Sequence, residues 1–154
     1  VQAGAPLQYE ELCVEVARHV QDAKADVTEL VLRDALNLAL GNPDNPGRNT
    51  ALLKTPDCTR LSPLYDFAPM YLDPEGIARV CRWSGDAETA GDPDWARVLE
   101  LFSDREATLR AALRDFGHLL QGLPDIMRDC GVDDDIIEHR NRSIETHTRQ
   151  LLDL

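Results

Sequence analysis

Two isolated acidic residues and one asparagine stand out where an apolar helical pattern gives way to prolines, glycines and asparagines. Asn49 follows Asp44 by five positions, and Asp66 comes after a short stretch with strand character. Phosphoryl transfer requires a carboxylate facing the attacking hydroxyl and hard oxygen ligands that hold magnesium against the phosphates. Asp44, Asn49 and Asp66 could supply these groups if a hairpin returned Asp66 to the same cleft. Taken singly, residues of these types are also ordinary components of turns.

The motifs around these residues resemble the catalytic core of HipA-type serine/threonine kinases, the toxin subunits of bacterial toxin–antitoxin modules. The family pattern is a helix ending in Gly-Asn, then Asp-x-His-x-Lys-Asn, a hairpin, and Leu-x-Pro-x-Tyr-Asp. This chain reads GNPDNPGRNT from Gly41 and LSPLYDF from Leu61. The resemblance covers roughly Asp26 to Met70, and it lies in the order of the motifs more than in any one of them.

The resemblance implies a role for each residue of the two motifs. Asp44 would be the catalytic base or would orient the substrate hydroxyl, and Asn49 and Asp66 would be magnesium ligands. The implied nucleotide-binding residues are Pro46, Gly47, Arg48, Asn49, Tyr65 and Asp66. Arg48 would stand where the family has Lys or Arg and could steer a phosphate. Pro46 takes the place of the family histidine.

The resemblance also implies cofactors and partners. ATP, as substrate, and Mg²⁺ would serve transfer of a γ-phosphoryl group to a Ser or Thr hydroxyl of a protein, and a HipB-like DNA-binding antitoxin would be a partner. The sequence contains no glycine-rich phosphate loop. We therefore expect residues 1–154 to be one C-terminal kinase domain, with the N-lobe outside this chain, and we expect the isolated chain to be inactive. The alternative is a non-catalytic helical interaction domain that retains the loop as an inherited scaffold.

Helical patterns precede the motifs and must position them. Apolar residues recur at helical spacing from about Leu7 to Ala23, which predicts a first helix. Asp26, with Glu29 three positions on, predicts the N-cap and capping box of a second helix. That helix should end at Gly41, because glycine readily takes the left-handed cap conformation.

A brief hairpin is predicted next, with strands at 51–54 and 59–61 around a turn at 55–58. The composition from Ser62 to about Asp94 is that of a long loop. Within it, proline at the first turn predicts a short helix over Pro74–Arg82.

The C-terminal part returns to helical spacing from Trp95, with an interruption near Ser103 and a short helix ending at Gly131. The run Asp133–Asp135 suits the positive N-terminal end of a last helix. Three apolar residues repeat every seven positions along it, which at this length is more typical of a core than of a coiled coil; they are Ile137, Ile144 and Leu151. The predicted fold class is mainly α: the helical C-lobe of a HipA- or protein-kinase-like fold, with one small β-hairpin carrying the catalytic and metal loops.

Composition excludes some classes of partner. The chain has 154 residues, 43% of them hydrophobic, and a net charge of −12. Such a charge repels phosphate backbones and anionic lipids, so we expect no direct nucleic-acid binding and no membrane association. The four cysteines lack C-x-x-C spacing, and we expect reduced, mostly buried thiols in a cytoplasmic protein. We expect surface or structural roles for the histidines, a core or lid position for Trp83 and Trp95, and a solvated helix face carrying Arg140, Arg142 and Arg149.

Overall fold

The computed structural model describes residues 7–43, 49–68, 70 and 79–154. Within these ranges the fold is mainly helical, with six α-helices and three small two-stranded sheets, which confirms the predicted class. The helices are α1 (Tyr9–His19), α2 (Ala23–Leu40), α3 (Trp95–Glu100), α4 (Glu106–Gln121), α5 (Leu123–Asp129) and α6 (Asp134–Leu152). The strands are β1 (Leu7–Gln8), β2 (Leu52–Lys54), β3 (Thr59–Leu61), β4 (Cys81–Arg82), β5 (Glu88–Thr89) and β6 (Asp92–Pro93).

The N-terminus of α2 lies one turn earlier than the sequence predicts. Asp22 is the N-cap, and its carboxylate accepts a hydrogen bond from the Ala25 amide at 2.9 Å. The prediction that Asp26 caps the helix is therefore wrong. Asp26 is buried in the first turn, and its carboxylate accepts a hydrogen bond from the Leu61 amide at 3.0 Å, so a distant strand takes its acceptor capacity.

The α2 helix buries polar as well as apolar residues. The buried apolar residues are Val27, Leu30, Val31, Ala35 and Ala39, and the buried polar ones are Asp26, Arg33, Asp34 and Asn37. The helix ends at Gly41 as predicted, because glycine at φ +71° accommodates the left-handed cap. Buried polar groups require hydrogen-bond partners. The segments that pack against α2 must therefore supply partners for its buried polar residues.

The predicted hairpin is present. Its antiparallel register pairs Leu52 with Leu61, Leu53 with Arg60, and Lys54 with Thr59. Thr55 and Cys58 close the turn, with the Thr55 amide donating to the Cys58 carbonyl at 2.8 Å. On the outer edge of β3, the carbonyl of Thr59 accepts a hydrogen bond from the Gln21 amide at 2.9 Å. The hairpin is therefore fixed to the α1–α2 connection through β3, while the side chains of β2 are exposed.

The short helix predicted over Pro74–Arg82 is wrong at its C-terminal end. Its residues 74–78 fall outside the described residues. Cys81 and Arg82 instead form β4, which pairs in parallel with β1. Cys81 and Trp83 are buried and Arg82 between them is exposed. That alternation has the two-residue period of a strand, which a proline signal at the N-terminal end of the segment does not reveal.

The C-terminal helices form the larger part of the core. The last helix, α6, packs against α2 and α4, and its three heptad-spaced residues are buried, which confirms that they belong to the core. The helices α4 and α6 approach closely at Gly117, where a Cβ would lie 3.1 Å from the Cβ of Leu151 and would press on that side chain. The turn at 101–105 between α3 and α4 confirms the interruption predicted near Ser103.

Most of the remaining expectations about side chains also hold. Trp83 and Trp95 are buried and meet edge to face, with ring centroids 6.5 Å apart, which confirms the core position. All four cysteines are free, but only Cys13 and Cys81 are buried. The histidines other than His147 are exposed. None of the helices in the described ranges combines the length and apolar character that crossing a membrane requires.

Candidate active site

The loop that carries Tyr65 and Asp66 begins on α2. The amide of Leu61 donates to the Asp26 carboxylate, and the carbonyl of Ser62 accepts a hydrogen bond from Arg33 Nη2 at 2.8 Å. Arg33 is itself held by Glu29, one turn earlier, at 2.8 Å. Two buried α2 side chains of opposite charge therefore fix the backbone where the Leu-Ser-Pro-Leu-Tyr-Asp motif starts.

The same loop ends on α2. The Met70 amide donates to the carbonyl of Gly41, the C-cap residue of the helix, at 3.1 Å. Tyr65 and Asp66 lie between these two attachments, and both are exposed. One rigid helix thus holds both ends of an exposed loop, and its C-terminus leads directly into the segment that contains Asp44.

Asp66 has a backbone conformation that its residue type seldom adopts. Its φ is +51°, and within the described ranges Ala90 is the one other non-glycine residue with positive φ. Aspartate tolerates this left-handed region better than most residues, but the conformation still costs on the order of 1 kcal/mol. Such residues cluster at functional sites, where the surrounding structure holds them in place.

The segments that carry Asn49 and Asp66 both adjoin the end of the hairpin that lies opposite its turn. The Ser62 amide donates to the Ala51 carbonyl at 2.9 Å, which extends the β2–β3 pairing by one step towards both residues. Asn49 is half-buried, and Asp66 is exposed. The described residues therefore place both predicted magnesium ligands on segments that begin at one end of the hairpin, and their role as ligands stays a prediction.

The other residues of the first motif fall outside the described residues. They are Asp44, Pro46, Gly47 and Arg48. Their predicted roles, as catalytic base or hydroxyl-orienting residue for Asp44 and as nucleotide contacts for the others, stay predictions. Their flanks are described: Gly41 and Asn42 on α2's C-terminal side, and Asn49 before β2. Asn42 is buried, and its amide donates to the Asn37 carbonyl at 2.8 Å, so the chain enters this segment from a fixed point.

The donor chemistry at this end of the hairpin fits magnesium bound mainly by substrate. In the described ranges no three His, Cys, Asp or Glu side chains are grouped so as to hold a metal ion. Magnesium typically takes one or two protein oxygens and completes its shell with phosphate and water. A carboxylate at Asp66 and an amide oxygen at Asn49 suit that pattern.

A comparison with known families bears on this geometry. A model of the HipA-like C-terminal domain matches residues 2–122, which include α2, the hairpin and both motif segments. The chain belongs to this family. Searches among curated proteins and among solved structures return no match. In this HipA-like domain, the sequence motifs of the family thus coincide with the loop that α2 holds at both ends.

Another face of α2 in the HipA-like domain is fixed by a charged cluster that sequence reasoning missed. Asp34 is fully buried and binds Arg79 in a bidentate pair, with Oδ1–Nη1 and Oδ2–Nη2 distances of 2.6 and 2.8 Å. The indole N–H of Trp83 donates to Asp34 Oδ2 at 2.9 Å. A signal was present: Asp34 lies in the middle of the apolar stripe of α2, where an acid needs a partner.

Glu88 completes this cluster. It accepts hydrogen bonds from Arg79 Nε at 3.1 Å and from the Trp83 amide at 3.0 Å, and its side chain is 1% exposed. Burial alone would lower the pKa of Arg79, but the carboxylates of Asp34 and Glu88 outweigh it and hold that pKa above its usual value. The guanidinium stays charged, and the cluster ties α2 to the 79–88 segment.

Aromatic packing covers the cluster from the side of α1. The ring of Tyr9 stacks on Trp83 with centroids 4.6 Å apart, and its hydroxyl donates to the Leu30 carbonyl at 3.3 Å. Burial and, next, the charge of Asp34 raise the pKa of Tyr9 well above its usual value, so it remains a neutral donor. The cluster therefore positions α2 and has no access to substrate.

The last helix also reaches the C-terminus of α2. The Ser143 hydroxyl donates to the Leu38 carbonyl at 3.1 Å. Arg140 is half-buried beside Gly41, where a Cβ on the glycine would lie 3.1 Å from the guanidinium carbon. The expectation that Arg140 belongs to a solvated face is therefore wrong, whereas Arg142 and Arg149 are exposed as expected.

Proposed function

We propose that this HipA-like domain is the C-terminal, metal-binding part of a serine/threonine protein kinase. It would transfer the γ-phosphoryl group of ATP, with Mg²⁺, to a hydroxyl of a protein. The observation that supports this most is the loop from Leu61 to Met70, which is attached to α2 at both ends and presents Asp66 in a strained left-handed conformation. Non-glycine residues with such a backbone cluster at functional sites, and this one is the single carboxylate of a loop held at both ends.

In this proposal each motif residue has one task. Asp44 orients the substrate hydroxyl and receives its proton, while Asn49 and Asp66 provide the oxygen ligands for Mg²⁺. Arg48 steers a phosphate group, and Tyr65 forms part of the nucleotide site. Bound magnesium would neutralise charge on the phosphates, which is its usual contribution to phosphoryl transfer.

The proposed partner is a small, basic, DNA-binding antitoxin, with the kinase as toxin in a cytoplasmic toxin–antitoxin module. The family membership supports this suggestion, and the net charge of −12 suits contact with a positively charged protein. In the same proposal the ATP-anchoring N-lobe is supplied from outside residues 1–154, and the isolated chain shows no turnover.

Charge removal at Asp66 tests the proposal. The Asp66→Asn variant keeps the side-chain size and the tolerance for a left-handed backbone, so its fold should be preserved. In the full-length protein with Mg-ATP, we expect phosphate incorporation into the protein or its partner to fall by at least about a hundredfold. Asp44→Ala should lower incorporation by a similar factor.

Asp57→Asn is the matched control. Asp57 is an exposed aspartate in the β2–β3 turn, at the end of the hairpin opposite to Asp66. It should retain the phosphate incorporation of the unsubstituted protein. Equal incorporation by Asp66→Asn, Asp44→Ala and the unsubstituted protein would contradict the assignment.

A second candidate is a non-catalytic interaction domain. Four large apolar or aromatic side chains on β2 and on the loop from Leu61 to Met70 are at least 36% exposed, which favours contact with another protein; they are Leu52, Leu53, Leu64 and Tyr65. Calorimetry separates the two candidates. If the full-length protein binds a partner but takes up no Mg-ATP, the interaction domain is the better assignment.

A further inference from the structure

The C-terminus of α2 is the point from which the candidate catalytic segment departs, and it lacks one common form of stabilisation. A helix C-terminus carries partial negative charge and several carbonyl groups without intrahelical partners. Lys, Arg or His in the last turn often offsets that charge, but the last turn of α2 contains none. A group from elsewhere must therefore provide it.

The last helix, α6, provides a hydroxyl donor for a terminal carbonyl of α2 and a positive charge beside its C-cap. Ser143 donates its hydroxyl to the Leu38 carbonyl, which is among the terminal carbonyls of α2 and also accepts from the Gly41 amide at 3.3 Å. Arg140, one turn earlier on α6, places its guanidinium against the face of Gly41 that a side chain would otherwise occupy. A positive charge and a hydroxyl donor thus meet the negative end of α2 from a second helix.

Gly41 is therefore shared by three parts of the molecule. Its amide closes α2, its carbonyl accepts from Met70 at the end of the Asp66 loop, and its missing side chain makes room for Arg140. Any larger residue at this position would have to displace the guanidinium as well as adopt φ +71°. The contact lies three residues before Asp44 in the sequence.

We propose that Arg140 is a positioning residue for phosphoryl transfer, acting through the C-cap of α2 on the loop from Leu61 to Met70, whose last amide is bonded to Gly41. The helix that carries it begins at Asp134, beyond the residues 2–122 that match the family model. A segment outside the recognised family region thus completes the support of the site. This inference rests on the proposed kinase function, and it makes a structural claim that can be tested without activity.

Residue-resolved hydrogen exchange by NMR tests the structural claim on the 154-residue chain. Three amides report on the junction through their own hydrogen bonds, namely those of Gly41, Asn42 and Met70. In Arg140→Met, which keeps an apolar stem and removes the charge, we expect these amides to exchange about five- to tenfold faster. The amide of Leu109, at the start of α4, is the internal reference, because it is bonded to Arg105 and lies outside the junction.

Arg142→Met is the matched control, since Arg142 is an exposed arginine on the same helix. It should leave the three junction amides unchanged. Arg140→Lys keeps the positive charge without the planar guanidinium and should restore part of the protection. Unchanged exchange at the junction in Arg140→Met, or an equal acceleration at Leu109, would overturn the proposal, because the effect would then be absent or global.

A kinetic measurement on the full-length protein tests the functional half. A loop that is misplaced after ATP has bound lowers kcat with little change in the KM for ATP. We expect kcat of Arg140→Met to fall about tenfold, with partial recovery in Arg140→Lys. A rise in KM with kcat unchanged would overturn the positioning role. If the unsubstituted protein transfers no phosphate, the proposed function fails, while the exchange experiment still decides whether Arg140 orders the junction.

Discussion

Arg79 lies between two buried carboxylates, and the effect of removing its guanidinium can be worked out from the geometry. Its side chain is 6% exposed, and those of Asp34 and Glu88 are 0% and 1% exposed. Nη1 and Nη2 bind Asp34, while Nε and Nη2 bind Glu88 at 3.1 Å. In Arg79→Met the stem volume remains, and both carboxylates lose their principal counter-charge.

The expected loss is large relative to the stability of a domain. Breaking a buried ion pair by removing one partner costs about 3–5 kcal/mol, because the remaining charge is left uncompensated. The Trp83 indole and amide donors still reach the carboxylates but do not neutralise them. Since single domains are stable by about 5–15 kcal/mol, Arg79→Met should remove at least about a fifth of the free energy of unfolding.

Equilibrium urea unfolding, followed by tryptophan fluorescence, measures this loss. Arg128→Met is the matched control: Arg128 pairs with Asp125 at 2.6 Å but is 52% exposed, so its loss should stay below about 1 kcal/mol. The double variant Asp34→Asn with Arg79→Met should recover part of the loss, because it neutralises one stranded carboxylate and leaves an acceptor for Trp83. Equal losses for Arg79→Met and Arg128→Met would refute the reasoning.

Two further predictions concern titratable groups. Burial lowers the pKa of His147, against the opposing effect of the hydrogen bond that its Nδ1 donates to Gln150 Oε1. The unfolded chain therefore takes up the proton more readily, and the free energy of unfolding should fall as the pH drops below about 6.5. His147→Gln should reduce that fall, as measured by the urea midpoints at about pH 7.5 and 5.5. The control is His118→Gln, because His118 is exposed. The same pH dependence in both variants would contradict the prediction. A thiol reagent at about pH 8 should modify Cys58 and Cys130 in the native protein. Cys13 and Cys81 should react only after denaturation, because burial raises their pKa and keeps their thiols protonated. Four equally fast thiols would mean that the core opens readily.

The features predicted correctly depend on local signals. Gly41 ends α2 because a glycine after an apolar stripe favours a left-handed cap, and the β2–β3 hairpin follows from two short candidate strands around a Thr-Pro-Asp-Cys turn. The order of the motifs identified the family, which the comparison confirms. These signals each lie within a few residues of the feature they predict.

The errors arise where distant residues compete with a local pattern. Asp26 has the spacing of an N-cap, but the Leu61 amide, 35 positions away, takes its carboxylate. The partner of Asp34 is 45 positions away, and no local pattern identifies Arg79. Arg140 looks like part of a solvated helix face until α2 is packed against α6. Tertiary partners therefore decided the roles of the charged residues, while local preferences decided most helix ends.

The contact between α6 and the end of α2 has a consequence for the timing of biosynthesis. Leu38 and Ser143 are separated by 105 positions. At about 5–20 residues per second, a ribosome adds the intervening chain in roughly 5–20 s. During that interval α2 is complete and both motif segments are added, but the helix that contacts the end of α2 has not emerged. We therefore expect a nascent chain to order the junction at Gly41 only after α6 has left the ribosome.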